Sequence, residues 1–271
     1  MLTHPIVTLT TDFGINGPFA GVMKGVMLGI NPDLRIVDIS HAITPHNVLE
    51  ASLMIPMSYN HFPTATIHMV LVDPGVGGPR RPILVVTDDY YFIGPDNGIF
   101  TSVFESLHTY ILKVFHITAS HYFLPRKGPT FHGRDIFAPV AAWLSKGVDS
   151  SRFGEEITDY VKIKLPELIV TPDNILEGEV LYIDNFGNAI TNVTQAKIAG
   201  WSQEAPAEKI KVIYKEQELA MSNYYAESDG SSLSAVLNSS CLLELFVYKN
   251  SASQKFGVKK GDKVMVKLYN I

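Results

Sequence analysis

Through the first half of the chain strand-like and helix-like runs take turns, and that alternation calls for an open, mainly parallel sheet with helices packed on it. Ile6 to Thr10 is a β-rich run that ends in Thr11-Asp12-Phe13-Gly14, and Phe19 to Ile30 places Phe19, Val22, Met23 and Met27 at helical spacing. Arg35 to Ile39 reads as a strand, Asn47 to Tyr59 as a helix, and Thr66 to Val72 and Pro82 to Thr87 as strands. Asp88-Asp89 then reads as a hairpin turn into Tyr90 to Ile93, Gly94 to Gly98 as a loop, and Arg134 to Ser145 as a helix. Between Lys162 and Glu177 the sequence becomes polar and proline-containing, which marks a linker. Past it come short β-type runs at Gly178 to Ile183, Ala189 to Val193, Lys209 to Tyr214, Leu242 to Tyr248 and Lys263 to Leu268, with little helical periodicity. The fold class is therefore α/β: an N-terminal α/β sandwich domain with a mainly parallel sheet over residues 1–165 and a smaller C-terminal all-β domain over 176–271, either a small sheet or a barrel.

Composition narrows the function classes. Among 271 residues, 46% are hydrophobic and 18% charged, and the net charge of −5 includes no basic block, so the footprint of a nucleic-acid binder is missing. Cys241 is the only cysteine, which excludes an intrachain disulfide and a multi-cysteine zinc site. No basic start with a long apolar segment precedes Ile6, and no stretch approaches about 18 apolar residues, so a cytoplasmic protein with no membrane partner is expected.

The chemistry-bearing residues gather at the ends of expected strands. Asp73-Pro74-Gly75-Val76-Gly77-Gly78-Pro79-Arg80 follows the apolar run Ile67 to Val72: a carboxylate, a turn stripped of side chains, then a cation. Of the neighbours Arg80 and Arg81, one should point inward. Asp12, at the end of the first strand, suits either a ribose diol or the cap of the following turn. His132, between Gly128-Pro129 and Gly133 at a helix start, differs in context from the other eight histidines, and no pair of the nine has a metal-ligand rhythm. Asp184-Asn185-Phe186-Gly187-Asn188 is either a plain β-turn or a recognition loop in which an Asn amide reads an adenine edge and Phe186 stacks on the ring. Asn238-Ser239-Ser240-Cys241 has the same two readings. The glycines after Asp73 are followed by another strand, so a dinucleotide fingerprint is disfavoured, and there is no P-loop or nucleophile elbow.

Taken together, Thr10-Thr11-Asp12-Phe13-Gly14, Met23-Lys24-Gly25-Val26, Ile36 to His41, Val72 to Gly77, Gly94 to Gly98, Phe131-His132-Gly133-Arg134-Asp135, Phe186-Gly187-Asn188 and Asn238-Ser239-Ser240 closely resemble the S-adenosylmethionine hydroxide adenosyltransferases, relatives of the fluorinating and chlorinating enzymes. The resemblance implies a homotrimer with active sites at subunit interfaces and hydrolysis of S-adenosyl-L-methionine, as substrate and without cofactor or metal, to adenosine and methionine. It places the catalytic set on Asp73, Arg80 and His132, choosing Arg80 over Arg81. Ribose binding falls on Asp12, adenine recognition on Asn188, methionine contacts on Asp184 and Ser239, and further pocket positions on Tyr225, Glu244 and Val247. One departure stands out: Gly17 occupies the place where many members carry a second carboxylate near the substrate amino group. Asp73 and its Gly/Val turn favour the water-using branch; a non-catalytic nucleoside sensor, a metal-dependent hydrolase and a halide-using adenosyltransferase are the rival readings.

Overall fold

Residues 4–106, 109–125, 128–203 and 209–268 are described by the computed structural model. The chain divides into two units, Met1–Leu165 and Pro166–Ile271. In the first, strands β1 (Ile6–Thr11), β2 (Arg35–Ser40), β3 (Ile67–Leu71), β4 (Pro82–Thr87), β5 (Tyr91–Pro95), β6 (Ile111–Ile117) and β7 (Gly154–Glu156) form one sheet in the order β2-β1-β3-β5-β4-β6-β7. β2, β1, β3 and β5 are parallel neighbours, β4 runs antiparallel between β5 and β6, and β7 is antiparallel to β6. Only β4 and β7 therefore oppose the common direction, and the sheet is mainly parallel as expected.

Neighbouring residues in these strands go to opposite faces, the period of two that a pleated strand imposes. Leu9, Met69, Leu84 and Ile93 pack with Met23 and Met27 of α1 (Phe19–Ile30). Val70, Val72, Val85 and Phe92 pack on the other side with Ala51 of α2 (Val48–Met54) and Val103 of α3 (Thr101–Phe104). α4 (Ala138–Ser145) covers the first face beside α1. Met23 and Met27, one helical turn apart and fully buried, contribute about 1.5–3 kcal/mol each by removal from water.

Two prolines set helix limits that periodicity alone misses. The expected helix Asn47 to Tyr59 ends at Met54 and tightens into a 3-10 turn at Ile55–Met57, because Pro56 has no N–H for the carbonyl of Ser52; Ser102 Oγ donates to that carbonyl instead. Likewise α4 is preceded by a π-turn at Gly133–Phe137, since Pro139 leaves the Asp135 carbonyl without an intrahelical donor and Leu124 N supplies one at 3.0 Å.

In the second unit β8 (Ile169–Val170), β9 (Leu176–Ile183), β10 (Ala189–Thr194), β11 (Ile210–Tyr214), β12 (Gln217–Ser222), β13 (Ser234–Leu237), β14 (Leu242–Phe246) and β15 (Lys263–Leu268) run in the order β10-β14-β13-β12-β11-β15-β9-β8. The end of β9 also pairs with β10, which closes a seven-stranded barrel, while β8 pairs with the start of β9. Leu176, Val180, Val212, Leu243 and Val264 fill its interior. The stretch read as a linker thus holds a strand. Two short helices, α5 (Gln195–Ser202) and α6 (Ala252–Phe256), were also absent from the sequence pattern; Thr194 and Ser251 cap them through bonds from Lys197 N and Gln254 N. Among the described residues no helix is long and apolar enough to cross a membrane.

Candidate active site

Where β3 ends, Val72 is fully buried and its carbonyl accepts from Asn97 Nδ2 at 2.9 Å, so the chain leaves the sheet at a fixed point with Asp73 first. The turn closes through Val76 N to Asp73 O (3.2 Å) and Gly78 N to Gly75 O (3.0 Å). Gly77 has φ +80°, and a Cβ there would stand 2.9 Å from the carbonyl oxygen of Pro129. Only glycine lets this turn lie against the segment that leads to His132.

Arg80 comes back over that turn. Its Nε donates to Asp73 Oδ1 at 2.9 Å, and its Nη2 donates both to Asp73 Oδ2 and to His132 Nδ1, the latter at 2.7 Å. All three side chains are nearly sealed from solvent, at 8% exposure for Arg80, 12% for Asp73 and 7% for the His132 residue. A guanidinium can only donate, so Nδ1 of the imidazole accepts and the neutral ring carries its hydrogen on Nε2. Arg81 turns elsewhere: it bonds Asp96 Oδ2 from Nε (2.9 Å) and Nη2 (2.7 Å), and Asp159 Oδ1 from Nη1 (2.8 Å). Of the two adjacent arginines, the spacing from Asp73 therefore selects Arg80.

Asp12, Asp73 and His132 line one cavity of about 660 Å³. Asp12 Oδ2 accepts from His46 N at 2.9 Å, which ties the end of β1 to the loop after β2. Behind it, Thr11 Oγ1 and His41 Nδ1 share a 2.8 Å hydrogen bond, and His41 Nε2 lies 3.1 Å from Asp38 Oδ1. Part of the lining is aromatic: Phe13, Phe19 and Phe131 meet edge to face or tilted at centroid distances of 5.5 to 6.2 Å. Arg134, its guanidinium held by buried Asp135 and lying 5.1 Å from the Phe131 ring centre, completes the lining. Arg80 itself does not line this cavity. Phe13, Phe19, His46 and Arg134 were not singled out from sequence, since helix spacing and motif position reveal nothing of which aromatic faces a cleft.

A second cavity, of about 640 Å³, lies in the barrel unit and is lined by Asp184, Phe186, Asn188, Tyr225 and Val247, with Ser251 and Gln254. The β9–β10 connection is a β-turn, closed by Gly187 N donating to Asp184 O at 3.0 Å. Asp184 Oδ1 accepts from Phe186 N and Asn188 N at 2.8 Å each, a satisfied turn, and the same turn presents Phe186 at 76% exposure to the cavity. Glu244 sits beneath the lining, where its carboxylate accepts from Tyr225 Oη (2.9 Å) and Asn238 Nδ2 (3.0 Å). Burial pushes its pKa up, against the lowering effect of those two donors. Burial and the bonded carboxylate push the Tyr225 phenol up to about 12. Ser239 is exposed in the turn after β13 and does not line this cavity. Among the described residues no group of three or more His, Cys, Asp and Glu is arranged to hold a metal ion.

An α/β unit that converges an acid, a guanidinium and an imidazole at its strand ends, followed by a closed β-barrel, defines the class of this protein. The chain belongs to the SAM hydroxide adenosyltransferase family: the family's N-terminal domain model matches residues 7–154 and its C-terminal domain model residues 178–265. It is 32% identical to an (R)-S-adenosyl-L-methionine hydrolase from Methanocaldococcus jannaschii, over 96% of this chain and 95% of the relative. It is 26% identical to a fluorinase from Actinopolyspora mzabensis, over 70% of this chain and 72% of that enzyme. A solved structure of a conserved protein from Thermotoga maritima superposes with a TM-score of 0.87 at 34% identity, covering 96% of this chain and 99% of that one.

Proposed function

We propose that the protein hydrolyses S-adenosyl-L-methionine to adenosine and L-methionine. The observation that carries this reading is the convergence of Asp73, Arg80 and His132 from distant segments at the wall of a cleft that also presents Asp12. The water oxygen bonds to the 5′-carbon, the carbon–sulfur bond breaks with its electron pair on sulfur, and the water proton passes to Asp73 and then to solvent. Because sulfur departs as a neutral thioether, the leaving group needs no Lewis acid, and the reaction runs without metal or cofactor.

What limits the reaction is the nucleophile. His132 directs the attacking oxygen from its Nε2–H, Asp73 takes the proton, and Arg80 fixes both, an arrangement that exerts its field in a partly dry site. Asp12 binds the ribose diol. In the barrel cavity Asn188 and Phe186 take the adenine, with Tyr225, Glu244 and Val247 forming its surroundings and Asp184 meeting the methionine end, which Ser239 reaches from outside that cavity. The active form is a cytoplasmic homotrimer with active sites at subunit interfaces; support comes from the exposed apolar side chains Phe19, Val22 and Leu28 along α1, at 38 to 47% exposure, and from Phe186.

The test is incubation of purified protein with S-adenosylmethionine, with and without a chelator, followed by chromatography. Adenosine and methionine in equal amounts, insensitive to chelation, are the expected products. Failure to release adenosine would leave a nucleoside-binding protein, and 5′-halogenated nucleoside in the presence of fluoride or chloride would point to the halide-using branch.

A further inference from the structure

The Asp73–Arg80–His132 cluster is a partition with a cavity on each side. Asp73 lines only the cleft described above, Arg80 lines only a second cavity of about 610 Å³ in the same unit, and His132 lines both. The ring of Phe137, which lines the first cleft, lies 5.5 Å from Arg80 Cζ. The ion pair is therefore divided between the two, Asp73 lining the cleft and Arg80 the rear cavity.

The rear cavity has the chemistry of an anion site. Besides Arg80 and His132 its polar lining among the described residues is His116, Thr118 and Ser120, all able to donate, with no Asp or Glu among them. His116 Nδ1 lies 3.9 Å from Oε1 of Glu155, a carboxylate that is 76% exposed and outside the lining. Arg80 supplies the decisive observation. Its side chain is 92% buried by the 8% exposure above, yet Nη1 has no hydrogen-bond partner among the described residues, while Nε and Nη2 are fully used. A buried cationic donor left open beside a cavity of hydroxyls and imidazoles favours a charge-assisted bond to an oxyanion.

We infer that the cavity behind Arg80 binds an oxyanion, either free or as the phosphoryl end of a small molecule, through Arg80 Nη1 with His116, Thr118 and Ser120. An occupant there draws on the same guanidinium that holds Asp73 and His132, so it lowers turnover without competing with substrate. That kinetic consequence rests on the hydrolase reading; the binding does not.

The probe is inorganic phosphate, titrated calorimetrically into the full chain already saturated with adenosine, with glycerol 3-phosphate as a second arm. Binding of either with adenosine present supports the site, and tighter binding of the ester assigns the occupant to a phosphoryl group on a larger molecule. Ser120→Glu, which adds a carboxylate at the exposed rim, should weaken binding at least about tenfold, and His116→Ala should weaken it about threefold to tenfold. In turnover assays phosphate should lower kcat with KM for S-adenosylmethionine unchanged. No heat of binding, displacement of phosphate by adenosine, or equal affinity in both folded variants would overturn the inference. A parent protein that binds phosphate but releases no adenosine would overturn the hydrolase reading alone.

Discussion

Arg80 Nη2 donates to His132 Nδ1 across 2.7 Å, and through that bond the arginine decides which nitrogen of the histidine carries hydrogen. If His132 acts as the donor this tautomer implies, its two amide replacements should differ. His132→Gln, whose amide N–H reaches toward the Nε2 position, should retain more turnover than His132→Asn, and His132→Ala should lose about a hundredfold or more in kcat. Equal losses in Gln and Asn variants, with disappearance of the acid limb of the pH–rate profile, would make the imidazole the base instead.

Arg80→Ala leaves Asp73 buried without its partner and removes the clamp on His132. Release of adenosine from S-adenosylmethionine should stop while adenosine still binds, measured by chromatography and calorimetry on the same sample. Full turnover would remove Arg80 from the mechanism.

Asp12 presents its carboxylate to the cleft with one oxygen already taken by His46 N. Asp12→Ala should weaken adenosine binding by about tenfold to a hundredfold, the worth of a charge-assisted hydrogen bond, with a smaller effect on kcat. Unchanged affinity in calorimetry would refute the ribose role.

Arg81 is the contrasting neighbour. Its partner Asp96 is 2% exposed at the side chain, so Arg81→Ala should cost about 3 kcal/mol of stability through an uncompensated buried carboxylate. Denaturant unfolding should show the loss, and kcat should remain near that of the parent.

His68 makes the stability of the α/β unit depend on acid. Burial among Tyr59, Phe62, Tyr90 and Phe92 lowers its pKa from 6.5 to about 3, and the ring meets Thr8 Oγ1 at 2.8 Å. Below 6.5 the unfolded chain takes up a proton that the folded chain refuses, so stability falls as pH drops through the window from 6.5 toward 3, by up to about 1.4 kcal/mol per pH unit. Urea midpoints compared at about pH 7 and about pH 4.5 should show a smaller decline for His68→Phe than for the parent, whatever the absolute stability of the variant.

What could be read from the sequence follows the strength of local periodicity. β1, β3 and β4 announce themselves as apolar runs, and the residues just past them, Asp12 and Asp73, could be placed at strand ends for that reason. β12 and β13 could not: Gln217–Ser222 and Ser234–Leu237 are short and mixed, and only closure of the barrel makes strands of them. β6 was missed because Ile111–Ile117 mixes buried and exposed positions without strict alternation. The glycines of the Asp73 turn suggested room for a ligand; at Gly77 the space is used by the Pro129 carbonyl instead, and nothing local could reveal that Asp73 and Arg80 line different cavities. His132, which lines both, and Phe137, beside Arg80, come from a segment far along the chain.

The carboxylate of Asp184 holds two backbone amides of its own turn, those of Phe186 and Asn188. Both bonds fall on Oδ1, so a ligand that competes for that oxygen must loosen one of them, while a ligand that bonds Oδ2 or merely rests on Phe186 leaves both protected. Deuterium uptake at those two amide positions is thus a reporter built into the barrel, able to tell which part of a bound molecule has reached it.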